Sequence, residues 1–260
     1  MPPHLERAAM RIAVSDYDGT MAHNGKLLGD VVGSVKKWRR QGNRFGIATG
    51  RDRSMIASEI ERWGIPVDFV ICANGATVFD SDTTLLYKRF IPDRQIPLLL
   101  RHPAALASMH AQISDTGPLR VILGPQSWFP RIGVKYAEVA RDEAVMFTNL
   151  AQISFAYTNE GERALWEARL REDFGDAIAV HPNKTTIDLN ASGVDKANGI
   201  GELIRLNGWE DLPLLVIGDG GNDLGMIRRF SGYTVPGAQE DVVRAAKRVC
   251  ADLEDMLANE

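Results

Sequence analysis

Ile12-Ala13-Val14-Ser15-Asp16-Tyr17-Asp18-Gly19-Thr20 begins as a short apolar run and breaks off into acidic and turn-forming residues. It reads as a buried strand that delivers polar side chains at its C-terminal tip. The same construction recurs twice, because Phe45 to Ala48 ends in Thr49-Gly50-Arg51 and Phe69 to Cys72 runs into Ala73-Asn74-Gly75. Between these runs, Asp30 to Gln41 spaces Val31, Val32, Val35 and Trp38 along one helical face and stops at Gly42. Met55 to Trp63 places Met55, Ile56, Ile60 and Trp63 likewise, before Gly64. Three strand, tip and helix units in succession predict an α/β fold built on a parallel sheet with covered faces. In such sheets ligands bind beyond the carboxyl ends of the strands.

Further along, the pattern changes. Ala76 to Asp80 and Thr83 to Phe90 predict a hairpin around Ser81-Asp82, and a less regular stretch follows, punctuated by Pro92, Pro97, Pro103, Gly117, Pro118, Gly124, Pro125 and Pro130. Strands are expected at Ile153 to Tyr157 and Ala177 to His181, flanking a helix from about Gly161 to Asp173. Residues 89–186 therefore read as an inserted α+β unit, and residues 1–88 with 187–260 as the core domain. The parallel pattern is expected to resume at Thr186 to Asn190, with a helix from Asp195 to Leu206. Leu214 to Ile217 is the most strand-like run and ends in Gly218-Asp219-Gly220-Gly221-Asn222-Asp223. A last strand near Tyr233 to Val235 and a helix through Ala245 to Val249 complete the expected fold.

Composition narrows the class. The 260 residues suffice for a sizeable core, and 30 Lys and Arg against 34 Asp and Glu give a net charge of -4. That balance lacks the basic face of a dedicated nucleic-acid binder. Two cysteines, Cys72 and Cys250, are too few for a disulfide scaffold or a cysteine-rich zinc site, and a cytoplasmic location is expected. Met1 to Met10 lacks the apolar core of a signal peptide, and residues 1–9 read as an extension ahead of the first strand or as a misplaced start. No apolar stretch approaches the ~20 residues of a membrane helix, so no membrane partner is expected.

The chemistry collects at the strand tips. Asp16 and Asp18 occupy alternate positions, so in an extended chain both carboxylates project to one side, and Gly19 lets the backbone turn away. Paired carboxylates invite a divalent cation, and oxygen ligands suit Mg²⁺. Asp219 and Asp223 repeat the theme, with Asn222 as an uncharged donor. The Thr49 hydroxyl and the amides after it, at Gly50 and Arg51, form a cradle suited to phosphate oxygens. Lys196, opening its helix, is placed to bring an ammonium over the same site. Each feature has an ordinary counterpart: Asp-Gly and Asn74-Gly75 as turns, Thr49 and Asp219 as helix caps, Lys196 as a solvated surface charge, Arg51 as a helix-start surface residue. Their joint occurrence at successive tips favours a site.

Taken in order, Asp16-Tyr17-Asp18-Gly19-Thr20, Ala48-Thr49-Gly50-Arg51, Ala73-Asn74-Gly75-Ala76, Gly193-Val194-Asp195-Lys196 and Gly218-Asp219-Gly220-Gly221-Asn222-Asp223-Leu224-Gly225-Met226 resemble the haloacid dehalogenase superfamily, and within it the Cof-type phosphatases. The resemblance spans about 11–90 and 187–250 and covers the insertion by position and length. It implies a Rossmann-like parallel-sheet core with an inserted α+β cap of type II, subclass B. It also implies a Mg²⁺-dependent phosphatase acting on a small phosphorylated metabolite, most commonly a sugar phosphate. By the same resemblance, Asp16 is the nucleophile that forms an aspartyl phosphate, and Asp18 the general acid and then base. Asp16, the Asp18 carbonyl and Asp219 would hold the metal with support from Asp223. Thr49, Lys196 and Asn222 would fix the phosphoryl oxygens. Tyr17 is closer to the trehalose-phosphate phosphatases, and Val235-Pro236-Gly237-Ala238 stands where many members carry a glycine-asparagine pair.

Two other readings share the aspartyl phosphate. A phosphomutase would return the group to a sugar. A phosphorylatable signalling module would keep it, although such a switch needs neither the leaving-group acid Asp18 nor a hundred-residue lid.

Overall fold

The computed structural model describes residues 10–260, so the extension expected at 1–9 lies outside the described residues. The main sheet has eight strands, in the spatial order Arg248–Val249, Tyr233–Thr234, Leu214–Ile217, Ile12–Ser15, Arg44–Ala48, Phe69–Cys72, Thr77–Asp80 and Leu85–Lys88. The first six run parallel and the last two form the expected antiparallel hairpin. Along the central strands apolar side chains alternate between two helical layers. Ala13, Phe45, Ile47, Leu215 and Ile217 pack toward the layer of Val31–Arg40, Arg53–Trp63 and Leu253–Asn259. Ile12, Val14, Ala48 and Val216 pack toward Lys196–Asn207, Leu224–Arg229 and Glu240–Ala245. Burial on both faces explains why these strands are continuous apolar runs.

A second sheet caps the first. Its order is Ala137–Glu138, Arg120–Leu123, His110–Ser114, Gln152–Ala156, Thr186–Ala191 and Ile178–Asn183, antiparallel except for the first pair. One face packs Ile113, Ile153, Phe155, Ile187 and Leu189 with residues of the helices Ile96–Arg101 and Glu160–Phe174. Residues of the other face meet the strand tips of the main sheet.

Three expectations are corrected. Thr186 to Asn190 does not resume the parallel core. It pairs antiparallel with Gln152–Ala156 and Ile178–Asn183, which carries the capping sheet to Ala191 and moves the return to the core past that residue. Its residues show the reason, since Ile187 and Leu189 alternate with Thr186, Asp188 and Asn190, the period of a strand buried against apolar neighbours on one face only. The stretch read as irregular holds two strands, His110–Ser114 and Arg120–Leu123. The helix expected through Ala245 to Val249 ends at Ala245, Arg248–Val249 is an edge strand beside Tyr233–Thr234, and the last helix is Leu253–Asn259. Among the described residues no helix is long and apolar enough to cross a membrane, and Cys72 and Cys250 are buried free thiols.

Candidate active site

Ile12–Ser15 lies between Arg44–Ala48 and Leu214–Ile217, with Ser15 level with Ile217. Residues leaving these strands therefore emerge side by side. The Asp16 amide donates to the Ile217 carbonyl at 2.9 Å, which extends the ladder by one step and leaves the Asp16 side chain at the tip, buried. Lys196 opens the helix Lys196–Asn207, whose N-cap Asp195 accepts from the Asn198 amide. Only 1 % of Lys196 is exposed, so it is not a surface lysine. Its Nζ donates to Asp16 Oδ1 at 2.6 Å and to Asp223 Oδ1 at 2.7 Å. The other Asp223 oxygen accepts from the amides of Asp219 at 3.1 Å and Gly220 at 2.9 Å, which folds the loop back on itself.

Asp219 accepts the Thr20 hydroxyl at 2.8 Å. Gly19 lies against it with φ +96°, and a Cβ there would stand 2.2 Å from Asp219 Oδ2. Backbone conformation and space both demand glycine at that point. Carboxylate oxygens of Asp16, Asp219 and Asp223 lie within 4.8 Å of one another. Lys196 is the ammonium that bridges two of them, so three acidic groups face one ammonium, and with all three ionised the cluster carries two negative charges in excess. Burial pushes the Asp16 carboxyl well above its usual range, Lys196 opposes this and the Asp223 charge adds to it. Burial likewise raises Asp219. At Lys196 burial favours the neutral amine, but Asp16 and Asp223 outweigh it and hold the ammonium charged. An oxygen-ligated divalent cation fits this donor set.

Asp18 borders the same cleft but stays outside the buried cluster. After Asp16 the backbone turns, with the Ala22 amide donating to the Tyr17 carbonyl at 2.9 Å, and Asp18 meets Arg51 instead. Arg51 Nε and Nη2 hold its two oxygens at 2.6 and 2.7 Å. The guanidinium lies over the Tyr17 ring, 5.0 Å from its centroid, and the Tyr17 hydroxyl donates to Glu59 at 2.9 Å. Tyr17 thereby fixes Arg51 as well as packing into the core.

The third tip is equally organised. The buried Thr49 hydroxyl accepts the Arg51 amide at 3.1 Å, and its carbonyl accepts the Asn74 amide at 3.0 Å. Asn74, fully buried in a left-handed conformation with φ 55°, accepts from Asn222 Nδ2 at 3.1 Å. Asp16, Asp18, Thr49, Gly50, Arg51, Asp219, Asn222 and Asp223 line one cleft of about 540 Å³ between the two sheets, with Asn74 bonded directly behind its wall. Pro236 and Gly237 line it too. From the capping sheet and its loops, Trp128 and Lys184 reach the cleft, while Arg120 is tied to Asp115 at 2.6 Å.

Sequence reasoning missed the floor of the capping sheet. Asp188 Oδ2 accepts from Asn74 Nδ2 at 3.0 Å, and Gln152 Nε2 donates to the Gly50 carbonyl at 3.0 Å and to Ser154 Oγ at 2.9 Å. Burial pushes the Asp188 carboxyl up to about 6 against bonds from Ser154 and Asn74. The polar alternation within Thr186–Ala191 was the available signal.

With that geometry established, the model of the haloacid dehalogenase-like hydrolases matches residues 13–256. The chain belongs to this family. The hydrolase is 38% identical over 257 residues to the 5-amino-6-(5-phospho-D-ribitylamino)uracil phosphatase of Escherichia coli (strain K12), covering 92% of this chain and 90% of the relative. A Bacillus subtilis (strain 168) phosphatase of the same name is 21% identical, over 99% of this chain and 97% of its own. Among solved structures, a HAD subclass IIB sugar phosphatase superposes with TM-score 0.78 at 24% identity over 93% of both chains. The hydrolase is thus a Cof-type phosphatase, and the reading as a non-enzymatic signalling module is set aside.

Proposed function

We propose that this phosphatase hydrolyses a small phosphate monoester, of a sugar or sugar alcohol, through a phosphoryl group carried on Asp16. The observation that carries the reading is the fully buried Lys196 bridging Asp16 and Asp223 at the tip of the central strand. Such a bridge costs desolvation and is retained where it orients a reacting group. An Asp16 oxygen forms the bond to phosphorus as the ester oxygen leaves, and Asp18 gives its proton to that alcohol. Asp18 then takes a proton from the water that attacks the phosphoaspartate, releasing phosphate and regenerating Asp16. Thr49, Asn222, Lys196 and the amides of Gly50 and Arg51 orient the phosphoryl oxygens. An incoming phosphate competes with Asp18 for Arg51, which frees Asp18 for proton transfer. Asp16, Asp219 and the Asp18 carbonyl would hold Mg²⁺, with Asp223 in support, and the bound ion would supply charge neutralisation for phosphoryl transfer.

Two relatives bear the name of phosphoribitylaminouracil phosphatases, which makes that ester the first to assay here. Phosphate release is to be measured over a panel of sugar, polyol and phosphoribityl esters with Mg²⁺, with chelator, and with Asp16→Asn. Release that both controls abolish is the expected result. Release that survives Asp16→Asn overturns the assignment, and transfer to a second sugar without free phosphate identifies a mutase.

A further inference from the structure

The capping sheet turns three parallel rows of side chains toward the core, and they differ in what is left free. In the innermost row, Asn190, Gln152 and Ser114 stand level on adjacent strands. Two of them are consumed in docking, because Asn190 Nδ2 donates to the Ala73 carbonyl at 3.1 Å and Gln152 Nε2 donates to the Gly50 carbonyl at 3.0 Å. The outermost row, Thr186, Ala156 and His110, is interrupted by an alanine that offers no hydrogen bond. The middle row is Asp188, Ser154 and Gln112, cross-strand neighbours in register, and all three line the cleft.

We infer that the Gln112–Ser154–Asp188 row is the subsite that reads the hydroxyl groups of the leaving alcohol, and so selects polyhydroxylated phosphate esters over apolar ones. The inference rests on the phosphatase reading above. Strand spacing makes the row ~10 Å long, the reach of a short polyol chain. It presents a carboxylate that accepts, a hydroxyl held between Gln152 Nε2 and Asp188, and a Gln112 amide that donates and accepts, groups suited to vicinal hydroxyls. Gln112 makes no side-chain hydrogen bond among the described residues, which leaves its amide available to a ligand. At the other end the row touches the phosphate-binding residues, since Asp188 bonds Asn74 at 3.0 Å and Asn74 bonds Asn222 at 3.1 Å. A chain esterified at the Asp16 site therefore has one continuous polar path away from the phosphorus. The opposite faces of these strands, with Ile113, Ile153 and Ile187, are closed in apolar core, so the polar row is not a by-product of a generally polar sheet.

The test compares kcat and KM for ribitol 5-phosphate and pentyl phosphate, esters of equal chain length with and without hydroxyls. Wild type is expected to prefer the polyol ester by about 100-fold or more in kcat/KM, because a site built to bond hydroxyls rejects an analogue lacking them. Gln112→Leu and Ser154→Ala are each expected to cut that preference about tenfold, chiefly through KM for the polyol ester, and Ser154→Thr to restore it. Asp188→Asn is expected to act in the same direction. A preference absent in wild type, or unmoved by Gln112→Leu and Ser154→Ala, overturns the inference and leaves the phosphatase reading standing. Equal losses on both esters make the row structural and overturn it too. Wild type that releases phosphate from neither ester nor from the wider panel overturns the phosphatase reading, and the subsite with it.

Discussion

Lys196 bears more of the site's electrostatics than any other described residue, because among them it alone bridges two of the cluster's three carboxylates. Lys196→Met removes the ammonium and strands Asp16 and Asp223. Breaking a buried pair from one side costs about 3–5 kcal/mol, so the melting temperature should fall sharply and turnover should drop on the order of 10³-fold or more. Unchanged melting would show the bridge to be absent in solution. At Asp18 the expected result separates two steps: Asp18→Asn should still accept a phosphoryl group from an activated ester but slow turnover roughly 10²–10⁴-fold on alkyl esters. Full turnover on alkyl esters would remove Asp18 from the acid role. Away from the site, Asp68 offers a pH test. Burial pushes its carboxyl up, but the Arg39 bond, the Phe45 amide and the Arg39 and Arg44 charges outweigh this and lower it. A lowered folded-state value stabilises above the ordinary carboxylate range, and the contribution is lost as pH falls through the lowered value. Asp68→Asn should therefore cost about 1 kcal/mol at neutral pH, discounted for the partly exposed arginines, and progressively less as pH falls below the ordinary carboxylate range. A pH-independent difference in melting would contradict this account.

Elements place these residues through close contacts as well as ladders. The helix carrying Lys196 comes so near the Ala73–Gly75 turn that a Cβ on Gly199 would stand 2.7 Å from Gly75 Cα and 2.9 Å from Ile71 Cγ2. Gly199→Ala has to push the helix off the sheet. It should cost ~1–3 kcal/mol and lower activity by displacing Lys196, which melting curves and phosphate release would register together. Retention of both would show that the helix is free to shift. The core strands were legible because burial on both faces makes each a continuous apolar run that ends at a tip. Thr186–Ala191 misled because it follows a long insertion and precedes a core helix, so position suggested a parallel strand while its alternation described a sheet with one polar face. His110–Ser114 and Arg120–Leu123 are short and lie among prolines and glycines, where periodicity is weakest.

At the scale of the whole molecule, two sheets meet tip to face and the cleft between them draws on both. The core half of the candidate site could be read from sequence, since Asp16, Thr49, Asn74 and Asp219 each stand within two residues of the end of a strand run. Burial decided what spacing left open: Lys196 enters the cluster, whereas Asp18 turns out to Arg51. The capping half was not legible, because Gln112, Ser154 and Asp188 come from strands far apart in the chain and become a row only through register. The excess negative charge of the cluster also has a global consequence. Mg²⁺ bound only by the folded state should stabilise by about 2.7 kcal/mol at a hundredfold excess over Kd, and Asp219→Asn should abolish the rise in melting temperature. An equal rise in that variant would place the cation elsewhere.

The central claim is that Asp16 carries the phosphoryl group. The most direct measurement is mass spectrometry of the enzyme quenched in acid during turnover of an activated phosphate ester with Mg²⁺, followed by mapping of the modified peptide. The account predicts a phosphoryl adduct on the peptide containing Asp16, absent in Asp16→Asn and in chelator. Steady release of phosphate with no adduct on that peptide, continuing in Asp16→Asn, would contradict it.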